Sequence, residues 1–313
     1  MPAPLRFTPL FRERVWGGRA LADVLGKALP AGATTIGESW ELVDRPGEQS
    51  VVAFGPLAGT TLQELWRERR VELFGARAAA AGDRFPLLVK LLDARETLSV
   101  QVHPPPELAP ALDAEPKSEL WYVVAAAPGA HVLAGLRAGI TQEAFAAALQ
   151  AGEDVSSLLH RVEVAVGEAL FLASGRVHAL GAGCLVVEIQ ESSDSTYRVY
   201  DFDRPGLDGQ PRELHVPESL ACIDFSDVEP AVRPAGDGVL ADNDLFKVTR
   251  RTLGDAPERL NAPGECALVA VLAGEARCGG EAHGPGAFFL LGADAGDALA
   301  VAGPAGVLVT ELP

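Results

Sequence analysis

Residues 85–104 read FPLLVKLLDARETLSVQVHP. Two apolar runs, Phe85 to Leu92 and Leu98 to Val102, are too short for ordinary helices and rich enough in Leu and Val for strands, with the polar DARET between them as a turn. On the second run Ser99, Gln101 and His103 alternate with Val100 and Val102. A strand therefore turns these three polar side chains to one face. That face is the place to look for chemistry.

Two further segments carry matching groups. Lys117 to Tyr122 reads KSELWY and holds Glu119; Gly175 to Gly181 reads GRVHALG and holds His178. Between the first two lies a proline-rich stretch, Pro104 to Pro116, which reads as an excursion between ligand-bearing strands. Two imidazoles, one carboxylate and the amide oxygen of Gln101 form a nitrogen and oxygen donor set of the kind that accepts Zn²⁺ or a similar divalent ion. The chain has only six histidines, so two of them in such settings carry weight.

Elsewhere 33 glycines and 23 prolines punctuate further short apolar runs, among them Leu120 to Val124, Ala169 to Leu172 and Leu185 to Ile189. Two helices stand out. Thr61 is placed to cap one that runs to Leu73, and Thr141 one over Gln142 to Gln150, ended by Gly152. Asp227 to Asp244 reads as a linker rich in Pro, Gly and Asp, followed by a second strand-rich region. The sequence thus predicts a mainly β protein of two β-sandwich or jelly-roll domains with a few inserted helices. Residues 1–226 would be the metal-binding domain and 227–313 a smaller one without metal. His283, in a Gly-rich stretch of that second region, reads as a surface turn residue.

A formal net charge of −17 argues against nucleic acid or an anionic membrane as partner, since either would be repelled over most of the surface. An anionic small molecule would need a local cluster of Arg or Lys. The four cysteines show no C-x-x-C spacing, which fits free thiols in a reducing cytoplasm. No stretch is long and apolar enough to span a bilayer, and no secretory signal is evident at the N-terminus.

Gly167 to His178, GEALFLASGRVH, resembles the second half of the cupin metal motif, with Ala173 where cupins commonly have proline. Gln101-Val102-His103 stands where the first half would carry His-x-His. The altered pattern resembles one family in particular, the type I mannose-6-phosphate isomerases of the short bacterial kind. The resemblance runs from FRERVWGG (residues 11–18) through IGESWEL (36–42), FPLLVKLLDARETLSVQVHP and the glutamate segment to EIQESSDSTYRVYDFDR (188–204). It implies cupin-like domains and one Zn²⁺ per chain held by Gln101, His103, Glu119 and His178. It also implies an active-site arginine, Arg198, and interconversion of mannose 6-phosphate and fructose 6-phosphate through an enediol.

Read from the residues alone, Arg198 serves developing charge, grips a phosphate, or pairs with Asp194 or Asp201. Lys117 shares a face with Glu119 and can hold substrate or move protons; its alternative is a solvated loop position. Ser99 can donate to a phosphate. Lys90, inside the apolar run, is best explained by a carboxylate partner, and Glu41 and Glu188 are candidates for acid–base work. The rival reading is a metal-containing cupin that binds a sugar or sugar phosphate as sensor or scaffold; an Fe²⁺ cupin oxygenase is a third. Oligomeric state has no signature in the sequence.

Overall fold

The computed structural model describes residues 3–293, 295 and 299–313. Three antiparallel sheets carry most of the chain. The first has the strand order Leu10–Gly18, Ile36–Leu42, Leu87–Ala94, Cys184–Glu191, Glu119–Ala126 and Ala169–Leu172. The second runs Tyr197–Tyr200, Val100–Val102, His178–Leu180, His131–Leu136 and Leu159–Glu163. The third runs Gly238–Asp242, Lys247–Leu253, Ala305–Glu311, Ala267–Gly274 and Phe288–Leu291.

The first two sheets face each other. Leu92, Trp121, Val123, Leu172 and Val186 of one pack with Val132, Ala134 and Leu180 of the other. The opposite face of the first sheet, with Leu87, Val89, Leu120 and Ile189, packs on Leu62, Leu65, Trp66 and Phe74 and on Val248, Leu268 and Leu308 of the third sheet. A sheet covered on both faces has no solvent side to require polar alternation. That is why Leu87–Ala94 is apolar on both faces, interrupted only by Lys90 and Asp93, and is buried at every position. Beneath the second sheet, Phe145 and Ala148 of the helix Gln142–Gln150 cover Leu133, Ala179 and Val100.

Four sequence expectations are corrected. Neither a cupin-like jelly roll nor a closed barrel is formed. Among the described residues every sheet is an open ladder with two edges, and five α-helices of four to nine residues accompany the strands. Alternation says which face a side chain takes, but closure depends on which edges meet, and that is a long-range property. The helix capped by Thr61 breaks at Arg69 into Leu62–Glu68 and Arg70–Phe74. The break brings Trp66 and Phe74 together against Phe85, with ring centroids 5.0–5.6 Å apart. Within the expected linker, Gly238–Asp242 is a strand paired with Lys247–Leu253. His283 is 2 % exposed, on the short strand Glu281–His283, with its ring 4.4 Å from Phe289.

The helix Gln142–Gln150 forms as expected. Thr141 accepts from the Ala144 amide, and Gly152 supplies the positive φ after its end.

Candidate metal centre

His103, Glu119 and His178 come from three segments and two sheets. Gln101 and His178 are direct cross-strand partners in the second sheet, so both side chains point toward the first. Glu119 opens a strand of the first sheet, opposite Gln190 and Leu172, and shares its inward face with Trp121. The ligand atoms meet in the gap. His103 Nε2 lies 3.5 Å from Glu119 Oε2, and His178 Nε2 lies 3.4 Å from Oε1. One candidate donor atom from each of the three residues falls within 4.8 Å of the others, and all three residues are at most 1 % exposed.

The surroundings orient both imidazoles. His103 Nδ1 is 3.0 Å from the Ser195 carbonyl and His178 Nδ1 is 2.9 Å from the Arg176 carbonyl. A carbonyl only accepts, so each Nδ1 carries the proton and each Nε2 turns a lone pair into the gap. Burial, with Lys117 adding to it, pushes His103 down to about 4, and burial lowers His178 as well, so both rings are neutral near pH 7. Burial alone would raise Glu119. The Lys117 ammonium, 2.9 Å away, and the two imidazoles outweigh it and hold the carboxyl well below its usual range. Lys117 is in turn held above the usual lysine value by Glu119 and Glu188 against the cost of burial.

His103 Nε2 and Glu119 Oε1 have no hydrogen-bond partner. Buried polar atoms without partners are costly, and a cation between them supplies what they lack. The residues present therefore fit a divalent ion such as zinc, with two neutral nitrogens and one carboxylate as donors. Gln101 adjoins the group: its amide nitrogen is 3.1 Å from His178 Nε2, and Ser99 Oγ donates to its oxygen at 3.4 Å. Turning the amide by half a revolution exchanges the two ends without changing its shape.

The turn before His178 is tied into the same place. The Gly175 amide donates to the His103 carbonyl, and Ser174 N to Ser118 Oγ. Gly175 has φ +87°, a conformation that glycine enters without strain. Ala173, where cupins commonly carry proline, leaves that turn intact.

Above the triad opens a cavity of about 640 Å³. Gln101 and Lys117 are the members of the cluster that face it, together with Ser99 and Arg198. Arg198 is the cross-strand partner of Gln101. Its Nη1 donates to the Glu213 carbonyl at 2.7 Å and its buried Nε has no partner. The ion-pair alternative for Arg198 is not what the structure contains: Asp201 is taken by Arg204 and by both ends of the Arg212 guanidinium. Burial, with Arg212 and Arg204 nearby, lowers the Arg198 value.

Of the cavity lining, Lys90 and Glu188 were singled out from the sequence, whereas Glu38 and Arg212 were not. Lys90 pairs with Glu188 at 3.0 Å and donates to Gln190, as a buried lysine must, and Glu188 also accepts from Trp121. Glu38 accepts from Arg14 and Trp40; burial would raise it, but Lys90 and Arg14 hold it at about 2. Only the polar residues spaced through IGESWEL hinted at Glu38. Arg212 reaches the wall because Asp201 draws the loop 202–212 back on itself, and no local pattern marks that. Glu41 pairs with Lys27 at 2.7 Å and is not part of the cavity lining.

With this geometry in hand, the comparisons agree. Residues 5–123 match the sequence profile of phosphomannose isomerase type I, catalytic domain. The chain is 43% identical over 227 residues to mannose-6-phosphate isomerase ManA of Bacillus subtilis (strain 168), covering 72% of this chain and 69% of the relative. It is 37% identical over 287 residues to the mannose-6-phosphate isomerase of Streptococcus mutans, covering 88% of this chain and 87% of the relative. The crystal structure of mannose 6-phosphate isomerase from Bacillus subtilis superposes with a TM-score of 0.86 at 31% identity, over 99% of this chain and 100% of that one. The chain belongs to the type I phosphomannose isomerase family.

Proposed function

We propose that this protein is a zinc-dependent aldose–ketose isomerase that interconverts mannose 6-phosphate and fructose 6-phosphate. The observation that carries the reading is the buried His103–Glu119–His178 triad, with partnerless donor atoms, beneath a cavity that also presents Lys117 and Arg198. A bound divalent ion supplies positive charge that polarises a sugar carbonyl or hydroxyl oxygen. We assign Gln101 as a fourth ligand.

The reaction moves a proton between C1 and C2 through an enediol, and negative charge develops on O1 or O2. Arg198 is placed to meet that charge or the phosphate, because its guanidinium is already oriented by the Glu213 carbonyl. Lys117 is an ammonium at the cavity floor, and Ser99 adds a hydroxyl on the same side. We assign Ser99, Lys117 and Arg198 to the substrate, with Lys117 and Arg198 also acting on the reacting end. The Lys90–Glu188 pair and Glu38 line the same cavity.

We assign residues 1–226 to the catalytic region and 227–313 to a smaller region without metal. The protein acts in the cytoplasm, a reading supported by four free, buried cysteines and by the lack, among the described residues, of any helix able to cross a membrane. A coupled isomerase assay with metal analysis tests the proposal. Turnover that tracks bound zinc supports it; binding of sugar phosphate without turnover in the metal-loaded protein would identify a sensor instead.

A further inference from the structure

The metal cavity draws part of its lining from the edge strands of both facing sheets, Leu10–Gly18 of the first and Tyr197–Tyr200 of the second. From the second edge the chain leaves as the loop 201–212. It returns at His215, whose amide donates to the Arg198 carbonyl at 2.8 Å. Gly206, Leu207 and Asp208, at the tip of that loop, line the cavity together with Arg198. Leu207 is 63% exposed and joins none of the apolar clusters of the core. An apolar side chain held open beside a polar cavity gains burial only by moving inward or by meeting what enters.

The loop is closed on itself and enters through a strained turn. Gly206 N donates to the Gln210 carbonyl at 2.6 Å, Gly209 N to the Gly206 carbonyl at 3.0 Å and Gln210 N to Asp208 Oδ1 at 3.0 Å. Among the described residues, none of the hydrogen bonds of residues 206–211 leaves the loop. Its ties to the body sit at the base, where Arg204 donates to the Thr97 carbonyl and Asp201 receives both Arg204 and Arg212. The entering turn runs from Asp201 to Arg204, with the Arg204 amide on the Asp201 carbonyl at 3.1 Å. Its central residues, Phe202 and Asp203, have φ +57° and +51°, the one consecutive pair of non-glycine residues at positive φ among the described residues. Turns of that hand are normally made with Gly, Asn or Asp, so Phe202 is held there against its backbone preference. Strain of this kind collects at segments that switch.

We propose that residues 204–211 form a cap that closes over the bound sugar phosphate, with Leu207 as the side chain that shuts the cavity to water; the inference rests on the isomerase reading above. The change in φ falls on Phe202 and Asp203, while the Phe202 ring stays with the body, 5.0 Å from that of Tyr200. Arg204 and Arg212, both gripping Asp201, tether the two ends of the cap as its backbone swings. Arg198 supplies the signal. Its Nη1 holds the Glu213 carbonyl at the far base of the loop, so a ligand that engages Arg198 acts on that base directly. Val15, on the edge strand of the other sheet, offers Leu207 an apolar seat. Closure matters to this reaction because a proton taken from C2 reaches C1 only if the group that carries it does not exchange with water first.

Two measurements on the metal-loaded full chain test the cap. Spin labels on Gln210→Cys, outside the cavity lining, and on Val166→Cys, exposed on the body, read the distance across the hinge; the four native cysteines are buried. Fructose 6-phosphate is expected to shift that distance by more than about 2 Å, the scale of a loop rearrangement on binding. The second measurement follows turnover of mannose 6-phosphate in D2O, where each escape of the C2 proton to solvent leaves one deuterium at C1 of the product. Leu207→Ala should raise deuterium per turnover severalfold, with metal content and thermal midpoint unchanged. Ligand binding with an unmoved distance, or equal deuterium uptake by the parent and Leu207→Ala, overturns the cap. A shifted distance without any turnover upholds the cap and rejects the isomerase reading instead.

Discussion

Arg198 and Gln101 are directly opposed residues on neighbouring antiparallel strands, and Gln101 in turn opposes His178. One row across the second sheet therefore presents a guanidinium and an amide to the cavity and an imidazole to the triad beneath it. Strand pairing, rather than any loop, sets the distance between the arginine and the metal triad. Rigid elements hold such groups more closely than loops do.

Replacing Arg198 by Ala should lower turnover by roughly a hundredfold or more, in line with removal of one preorganised donor. Metal content and the thermal midpoint should stay near those of the parent. Lysine should restore only part, because a point charge does not reproduce the guanidinium fork. Steady-state kinetics with metal analysis on both variants decides the matter; near-normal turnover in the Ala variant would reduce the arginine to a structural role.

Chelating the metal should lower stability as well as activity. Without a cation, Glu119 Oε1 and His103 Nε2 remain buried with no hydrogen-bond partner. With free ion at a hundred times its dissociation constant, binding adds about 2.7 kcal/mol. Melting curves with and without chelator should separate accordingly and rejoin when zinc is restored. Glu119→Gln should abolish the separation. Coincident curves in the parent would remove the triad as the metal site.

Asp201 closes the loop that brings Arg212 to the cavity, so Asp201→Asn should act on substrate binding from outside the reacting centre. Its two oxygens receive Arg212 Nε at 2.5 Å, Arg212 Nη2 at 2.7 Å and Arg204 Nη2 at 2.7 Å. Neutralising the acceptor weakens charge-assisted bonds worth roughly 1.5–3 kcal/mol each. KM for mannose 6-phosphate should rise about tenfold, a conservative share of that range, with a smaller change in kcat. An unchanged KM would show that the loop has no part in binding.

Acid stability should depend on Glu38. Its carboxyl falls from an ordinary 4.5 to about 2, because Lys90 and Arg14 outweigh burial. A depressed carboxylate stabilises the folded state above its unfolded value, and that contribution is lost as pH falls from about 4.5 through about 2. The full difference is at most on the order of 3 kcal/mol. Glu38→Gln should start less stable at neutral pH and lose less across that window. Denaturant titrations at pH 6, 4 and 2.5 measure it; parallel profiles would show that the ion pairs contribute nothing.

Mannose 6-phosphate should react far faster than mannose. The chain repels anions as a whole, so the phosphate must be met by local cations, and its binding then positions C1 and C2. Equal kcat/KM on the two sugars would remove phosphate recognition by Ser99, Lys117 and Arg198.

How much could be read in advance divides along a physical line. Alternation about Val100 and Val102 assigned Ser99, Gln101 and His103 to one face, because the period of a strand is a local property. The capping of Gln142–Gln150 by Thr141 was legible for the same reason. The carboxylate need of Lys90 was legible too, since a lysine inside an apolar run must be paired. The jelly-roll expectation failed because the edges that meet are decided by strands far apart in the chain. His283 failed because glycine marks turns without saying what packs over them.

Sequence by itself determined the donor types and their placement on or beside short strands. Only the tertiary structure decided that Glu119 meets His103 and His178 across the gap between two sheets. It alone brought Arg14, Glu38, Lys90 and Glu188 to the same cavity as Arg198, and Arg212 through a loop closed by Asp201. Side-chain direction follows from backbone period within a few residues. Proximity between distant segments follows from pairing and packing, whose energies are summed over the whole chain.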